Sequence, residues 1–422
     1  MFLQLFPSQA KERMAQKKTN VVIIGGGIVG SLLALILGLN GLKVVLIEKQ
    51  SLDDLNSNSY DGRSYALNSG SMKLLVTLNI WDEIKEKVQI VSRVLLQQGA
   101  VTTQPQPFDL NFYDYETDNG PIFYMVEDRF LRKVILRKVR ECSNINHLTS
   151  KSVKRQNIID SLIEITLDDT QVIKADVAIG ADGFPSKSAE RAKIKRFDQN
   201  YNQSSIVGVV RHKNNHNDEA FQFFLPAGPL AILPLIGNRS CYVWTMSTSE
   251  AKRIHELDED LFLKRLVKVF DNRRGEIELD TPSNIFPISL SIANKLVDEK
   301  FALIGDSAHN IHPIAGQGLN LGIRDVACLS EILILARRNG EDIGAVNVLR
   351  RYSKWRNFDI FTMALFTDMA NKVFSNDNFL LQIARGISFD FISKSPILKS
   401  YLMKEASGFV GDIPKLLQGH DI

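Results

Sequence analysis

A chain of 422 residues with 44% hydrophobic and 23% charged residues is too long for one small core and too apolar for a disordered or fibrous protein, so it suits two or three packed units. Its 51 basic and 48 acidic residues leave a formal net charge of +3, far from the excess that phosphate neutralisation demands, which argues against nucleic acid as a partner. The scattered cysteines Cys142, Cys241 and Cys328 form no CxxC pair or Cys/His cluster, pointing to a reducing, cytoplasmic compartment and no structural metal.

Residues 1–19 read as an N-terminal extension, too polar for a secretory leader. Residues 21–24 are all branched and apolar, GGGIVG follows, an apolar helix-length segment runs to Leu39, and KVVLIEK supplies a second buried strand. The uncharged run 21–42 is long enough to span a bilayer, but the adjacent glycines suit strand, turn and helix better than one continuous helix. In this βαβ unit Gly25, Gly27 and Gly30 fit the dinucleotide pattern: a tight turn, close backbone approach to a pyrophosphate, and close packing of helix on strand. Glu48 closes the second strand, where a carboxylate accepts from the ribose hydroxyls of an adenosine. The competing reading is a Gly-rich structural turn with a surface glutamate.

Asp61 and Arg63 then stand in a polar run before a helix whose Met72, Leu75, Leu78 and Trp81 recur at core spacing. Arg63 either meets cofactor oxygens or makes a surface ion pair. Residues 90–124, with Pro105, Pro107, Phe108, Phe112 and Tyr113, depart into a second domain of short strands. YMVEDRFLRKVILRKVR resumes as a helix, with Arg129 at its start directed toward a phosphate and the later basic residues on a solvated face. Asp182 and Gly183 end a buried strand, the position where ligands bind in an open α/β sheet, unless they form only a turn. From 196 to 287 the pattern is β-like, and Phe221, Phe223, Phe224, Val243 and Trp244 give a sheet with a large apolar face, part of it suited to a greasy aromatic substrate.

The segment 302–325, ALIGDSAHNIHPIAGQGLNLGIRD, reads as strand end, carboxylate, Gly-rich loop and helix start. Asp306 supplies an acceptor, and the N–H groups around Gly316, Gln317 and Gly318 can approach an anionic ligand. His309 and His312 have no partner at metal-site spacing and read as structural parts of the loop, with a general base as the alternative. Beyond Ala345 the chain reads as helical, with Phe379, Ile383 and Ile387 on one face and basic residues interspersed: a packed C-terminal layer or a peripheral membrane contact.

GGGIVG with Glu48, GADG at 180–183 and GDSAHNIHPIAGQGLN at 305–320 together resemble the class A flavin-dependent monooxygenases, relatives of para-hydroxybenzoate hydroxylase. HPIAGQGLNLGIRD is similar to the signature of their ubiquinone-biosynthesis hydroxylase family, and the likeness extends through GPLAILPL, YSKWRNFD and the terminal PILKSYLMKEASG. The resemblance implies an α/β fold: a Rossmann-like FAD-binding domain from 20–89, 125–185 and 297–340, an inserted α+β, mostly β-sheet substrate domain from 90–124 and 186–296, and C-terminal helices over 341–422. It implies FAD, with NADPH or NADH as electron donor and O2 as co-substrate, and hydroxylation of a polyprenylated phenol through a flavin C4a-hydroperoxide. Gly25, Gly27 and Gly30 fall at the pyrophosphate, Glu48 on the ribose, Arg63 and Arg129 toward the cofactor, Asp182 at the DG motif, Asp306 on the ribityl chain, and Gly316, Gln317, Gly318, Leu319 and Asn320 at the isoalloxazine. No catalytic side chain is implied, His309 and Pro313 being neighbours only, and no metal. Two positions depart from the pattern: Ala189 stands where the DG motif has arginine, with Arg191 close by, and Asp128 stands where asparagine is usual. The implied partners are a hydrophobic phenolic substrate, other ubiquinone-biosynthesis proteins, and the inner face of a membrane through the C-terminal helices. The alternatives are a monooxygenase of another small aromatic and a non-catalytic FAD-binding subunit.

Overall fold

The computed structural model describes residues 17–57, 60–98, 109–114, 120–225, 227–270, 272–313, 316–374, 395, 403–404, 407–409 and 411–422. Pro105, Pro107, Phe108, Phe379, Ile383 and Ile387 lie outside them, as does the extension up to residue 16.

The α/β architecture expected from the sequence is present. Strands Lys17–Ile24, Val44–Ile47, Ile145–Leu148, Val172–Gly180 and Phe301–Leu303 form a parallel sheet in the order 301–303, 172–180, 17–24, 44–47, 145–148. Its central strands read as unbroken apolar runs because both faces are covered, and Val21, Val22, Ile23 and Leu46 are fully buried. The first strand starts at Lys17, inside the expected extension, because Lys17 already pairs with Ile173. Helix Ile28–Leu39 packs between helices Asp128–Glu141 and Gly318–Arg338 and is buried along nearly its whole length, hence its lack of a polar face.

A second, nine-stranded sheet takes its register from the long strand Arg196–His212, which pairs antiparallel with both Arg239–Ser247 and Asn284–Ala293. Beyond Arg239–Ser247 follow Gly228–Leu235, Glu219–Leu225, Arg93–Gln98 and Leu110–Tyr113. Helices Thr248–His255 and Glu259–Val269 cover one face over Phe221, Phe223, Tyr242 and Trp244. The other face carries Val207, Val209, Ala220 and Cys241, with Leu233, Val243 and Phe286 beside them. Segment 302–325 crosses between the sheets: Phe301–Leu303 ends in the first, and His309–Asn310 pairs with Ser291 and Ile292 in the second.

A three-stranded sheet of Ser64–Leu67, Val88–Val91 and Phe123–Glu127 sits where the two large sheets meet. Charge ties it to the second sheet: Arg239 bonds Glu127 at 2.7 Å and Asp280 at 2.7 Å, and Arg129 holds the other Glu127 oxygen at 2.7 Å. Helix Val346–Phe374 spans 29 residues, and among the described residues no helix is long and apolar enough to cross a membrane.

Glu127 is almost wholly buried and shared between Arg239 and Arg129, so removing Arg239 leaves one of its oxygens without its charged partner. Arg239→Ala is expected to lower stability by about 1.5–3 kcal/mol, read from chemical denaturation, and Arg239→Lys, which keeps charge but loses the two-sided fork, by less.

Candidate functional site

Between the two large sheets lies a cavity of about 1310 Å³, more than a single drug-sized ligand fills. One end is lined by Gly27, Gln50, Arg63, Asp128, Arg132 and Gly183 from the turns and helix starts of the first unit. The other is apolar, lined by Leu96, Phe112, Val207, Phe224, Val243 and Phe286 among others. Asp306, His312, Pro313, Gly316, Gln317, Gly318 and Leu319 also line it.

The first turn works by close approach. Gly25 sits at φ +112°, and a Cβ there would lie 2.2 Å from the Ala181 carbonyl oxygen; one at Gly30 would lie 2.0 Å from the Gly25 oxygen. Only glycine lets strand, turn and helix meet so tightly. At Gly27 and Gly318, by contrast, a Cβ would meet nothing within 4 Å, because both open onto the cavity. Glu48 lies just behind the turn, accepting from the Gly26 amide at 2.7 Å and the Gln50 amide at 2.8 Å, which among the described residues leaves a second lone pair on each oxygen for a further donor.

Asp306 points into the cavity, open to it yet deep within the fold, and no protein donor reaches its carboxylate among the described residues. Desolvation raises it above the usual carboxylate range, opposed by His309 and Arg196 and reinforced by Asp325. Behind it, Asp325 accepts from the Gly305 amide at 2.9 Å, His309 Nε2 at 2.5 Å and Arg356 Nε at 2.7 Å. Burial alone would raise Asp325, but His309 and Arg356 win and hold it below the ordinary range. His312 is on the wall, edge-on to Tyr201 with ring centroids 5.4 Å apart, and burial pushes it down to about 4. A base that weak gives up its proton far below neutrality, which counts against the general-base reading.

Of the residues singled out from sequence, Gly27, Arg63, Asp306, Pro313, Gly316, Gln317, Gly318 and Leu319 line the cavity, whereas Gly25, Gly30, Glu48, Asp182, His309 and Asn320 stand behind it. Asp182 pins the loop after its strand, accepting from Ser186 Oγ at 2.7 Å, Ser188 N at 2.8 Å and Ser307 Oγ at 3.1 Å. Arg191 reaches the same loop, 3.0 Å from Ser188 Oγ and 4.0 Å from Asp182, covering part of what Ala189 lacks. Asn320 spends its amide inside the protein, accepting from Asn68 N and Ser71 Oγ and donating to the Ala66 carbonyl. Arg63 is held by Asp61 at 2.7 Å while lining the cavity, so both readings of it apply in part.

Arg129, expected toward a phosphate, is held by Glu127 at 2.7 Å, lies 4.5 Å over the Tyr60 ring and is not among the residues lining the cavity. Arg132 is the arginine that reaches the wall, steadied by Asp128 at 3.0 Å, and Tyr65 bonds the same carboxylate at 2.9 Å. Gln50, Tyr65, Asp128 and Arg132 escaped sequence reasoning, though the unusual Asp128 four residues before an arginine was a usable signal.

The donor set fits a flavin dinucleotide: glycines opening onto the cavity, cationic Arg63 and Arg132, and a carboxylate without a protein donor for sugar-alcohol hydroxyls. Among the described residues no group of three or more His, Cys, Asp or Glu could hold a metal ion.

Residues 18–357 match the FAD binding domain family. The chain is 35% identical over 409 residues to ubiquinone hydroxylase UbiL of Rhodospirillum rubrum, covering 96% of this chain and 94% of that one. It is 31% identical to the 3-demethoxyubiquinol 3-hydroxylase of Escherichia coli over 94% of this chain and all of the relative. It is 28% identical to the human mitochondrial ubiquinone biosynthesis monooxygenase COQ6, over 92% of each chain. Among solved structures, p-nitrophenol 4-monooxygenase PnpA from Pseudomonas putida superposes with a TM-score of 0.78 at 18% identity, over 94% of this chain and 99% of that one. PqsL, a probable FAD-dependent monooxygenase from Pseudomonas aeruginosa, gives 0.74 at 20%, over 89% and 100%. Both show the shared fold.

Asp306→Asn separates binding from stability. Because the folded state holds a proton that the unfolded carboxyl releases, stability falls as pH rises from the ordinary carboxylate value through the raised one. The variant should therefore unfold at a higher temperature than the wild-type apoprotein at neutral pH. Its affinity for FAD should fall roughly 10- to 100-fold for the lost charged acceptor, as read by flavin fluorescence quenching.

Proposed function

We infer that this chain, which belongs to the FAD binding domain family, is an FAD-dependent aromatic-ring hydroxylase acting on a polyprenylated phenol in ubiquinone biosynthesis. The observation that carries this reading is the single cavity whose amide-rich end and apolar end meet at Asp306 and 316–318. The named relatives supply the substrate class, and the greasy wall of the second sheet suits it.

In this reading the FAD-binding part is 20–89, 125–185 and 297–340, and 90–124 with 186–296 form the substrate part. Gly25, Gly27 and Gly30 would take the pyrophosphate with Arg132 and Arg63 beside it, Glu48 the ribose, Asp306 the ribityl hydroxyls, and the amides of 316–319 the ring. Bound FAD supplies the oxygen chemistry, reduced by NADPH or NADH and consuming O2. The protein's share is position and polarity. Helix Gly318–Arg338 starts at the cavity, so its positive end and free N–H groups favour negative charge on the ring. Val207, Val243, Phe286 and Phe224 hold the phenol in a dry pocket, where a reactive oxygen donor is shielded from water. His312 stays neutral and Cys241 is pushed up to about 12, so this wall adds no charge against an apolar ring.

A peripheral membrane contact belongs to the same proposal. On helix Val346–Phe374, Phe358, Phe361, Leu365, Phe366 and Met369 are exposed in a helical stripe, and Phe366 and Met369 also line the cavity. The stripe thus leads from the outer surface to the substrate's chamber. Phe361→Asp should reduce co-sedimentation with phospholipid vesicles while leaving FAD content unchanged.

Removal of the gene should accumulate a quinone precursor one hydroxyl short, identified by mass. Gly318→Asp, which puts a carboxylate at the open cradle, should reproduce that accumulation; normal ubiquinone in both strains would sink the hydroxylase reading, and normal ubiquinone in Gly318→Asp alone would favour a scaffolding subunit.

A further inference from the structure

Alternation along strands Arg196–His212 and Arg239–Ser247 puts Val207 and Val243 on the cavity wall, and two residues from each, on the same face, stand Ser205 and Thr245. These two are direct cross-strand partners, both buried, and their hydroxyl oxygens lie 2.7 Å apart. Phe286 pairs with Ser205 from the other side. The hydroxyls thus sit within a patch that is otherwise carbon. Other polar groups on the wall are differently placed: Asn310 is spent on Ser289, and Gln222 is only half-buried.

A hydroxyl is one donor and two acceptors. Whichever of the two oxygens donates to the other, one hydrogen is used between them and the other hydrogen is left. Among the described residues neither hydroxyl has a further hydrogen-bond partner. The pair therefore presents to the cavity an O–H to give and lone pairs to receive. An unmet donor on a dry wall is costly, so a ligand group that both accepts and donates is favoured there over one that is purely apolar. A phenol hydroxyl does both.

We propose that the Ser205–Thr245 hydroxyl pair is the subsite for the phenolic hydroxyl of the ring substrate, donating one hydrogen bond to its oxygen and accepting one from its O–H. Contacts with Val207, Val243 and Phe286 hold an aromatic ring without fixing its rotation, because apolar attraction has no direction. A hydrogen bond at one point of the rim fixes it. The pair thus decides which ring carbon is presented to the cofactor end of the cavity.

This rests on the aromatic-hydroxylase reading, and the test separates the two. The FAD-loaded full-length protein is titrated with 2-farnesylphenol and with farnesylbenzene, the same molecule without its hydroxyl, and binding is read from the perturbation of flavin absorbance. Wild type should bind the phenol about tenfold or more tightly, since the hydrocarbon leaves the pair unmet. In Ser205→Ala/Thr245→Val the phenol should weaken about tenfold or more and the hydrocarbon should bind as well as before or better, so the preference is lost or reversed. Thr245→Ser, which keeps the hydroxyl, should retain the wild-type preference. A purely structural role for the pair predicts equal losses for both compounds, which would overturn the proposal. Replacing both hydroxyls by apolar groups leaves no buried donor behind, so the double variant should fold. If it did not, wild type still decides: equal affinity for the two compounds would overturn the proposal, and the tenfold preference would uphold it. Wild type that holds FAD yet binds neither compound would overturn the prenylated-phenol reading along with the proposal.

Discussion

Three donors from two pieces of chain converge on the carboxylate of Asp325: the Gly305 amide and the His309 ring from one turn, and the Arg356 guanidinium from the later helix. Asp325 sits two turns into helix Gly318–Arg338, whose first residues open onto the cavity. The turn that aims Asp306, the crossover strand His309–Asn310 and helix Val346–Phe374 are therefore all positioned against the helix that presents the loop amides. A buried ion set of this kind adds little net stability over apolar residues of equal volume, since desolvation consumes most of the Coulomb gain. What it does secure is geometry, because every charged partner has a fixed direction.

The two sheets divide the chemistry between them. The parallel sheet ends in turns, and turns expose N–H groups and dipole ends that suit phosphate and reduced flavin. The second sheet offers side chains instead, and its cavity face is apolar. The titratable groups near that face follow the same logic, with His312 lowered and Cys241 raised by burial, both toward their uncharged forms. Asp306, at the join, is the group on which dry surroundings and a need for charge conflict.

Much of this was legible in the sequence where the signal is local. GGGIVG with Glu48 reads as strand, turn and strand because the steric demands fall within 24 residues, 25–48, and 302–325 reads as strand, carboxylate, loop and helix for the same reason. Arg129 and Arg132 were harder, because helical periodicity shows that two residues occupy different faces but not which face meets a cavity. Asn320 looked like a ligand in the loop, yet its partners Asn68 and Ser71 lie 252 and 249 residues away. No local pattern reveals such a pairing. The crossing of His309–Asn310 into the second sheet is only two residues long, too short for alternation to register.

The parallel register of Arg93–Gln98 against Glu219–Leu225 has a consequence in time as well as space. Arg93 and its partner Glu219 are 126 residues apart, so at roughly 5–20 residues per second of synthesis the earlier strand waits on the order of ten seconds for its neighbour to be made. Lys17–Ile24 waits longer still, for Val172–Gly180. During that interval both sheets are incomplete, with unpaired apolar edges open to other chains. Cellular yield is then governed by how well those edges are shielded before the C-terminal helix is made, and low temperature or added holdase capacity should matter more for this protein than its final stability would indicate.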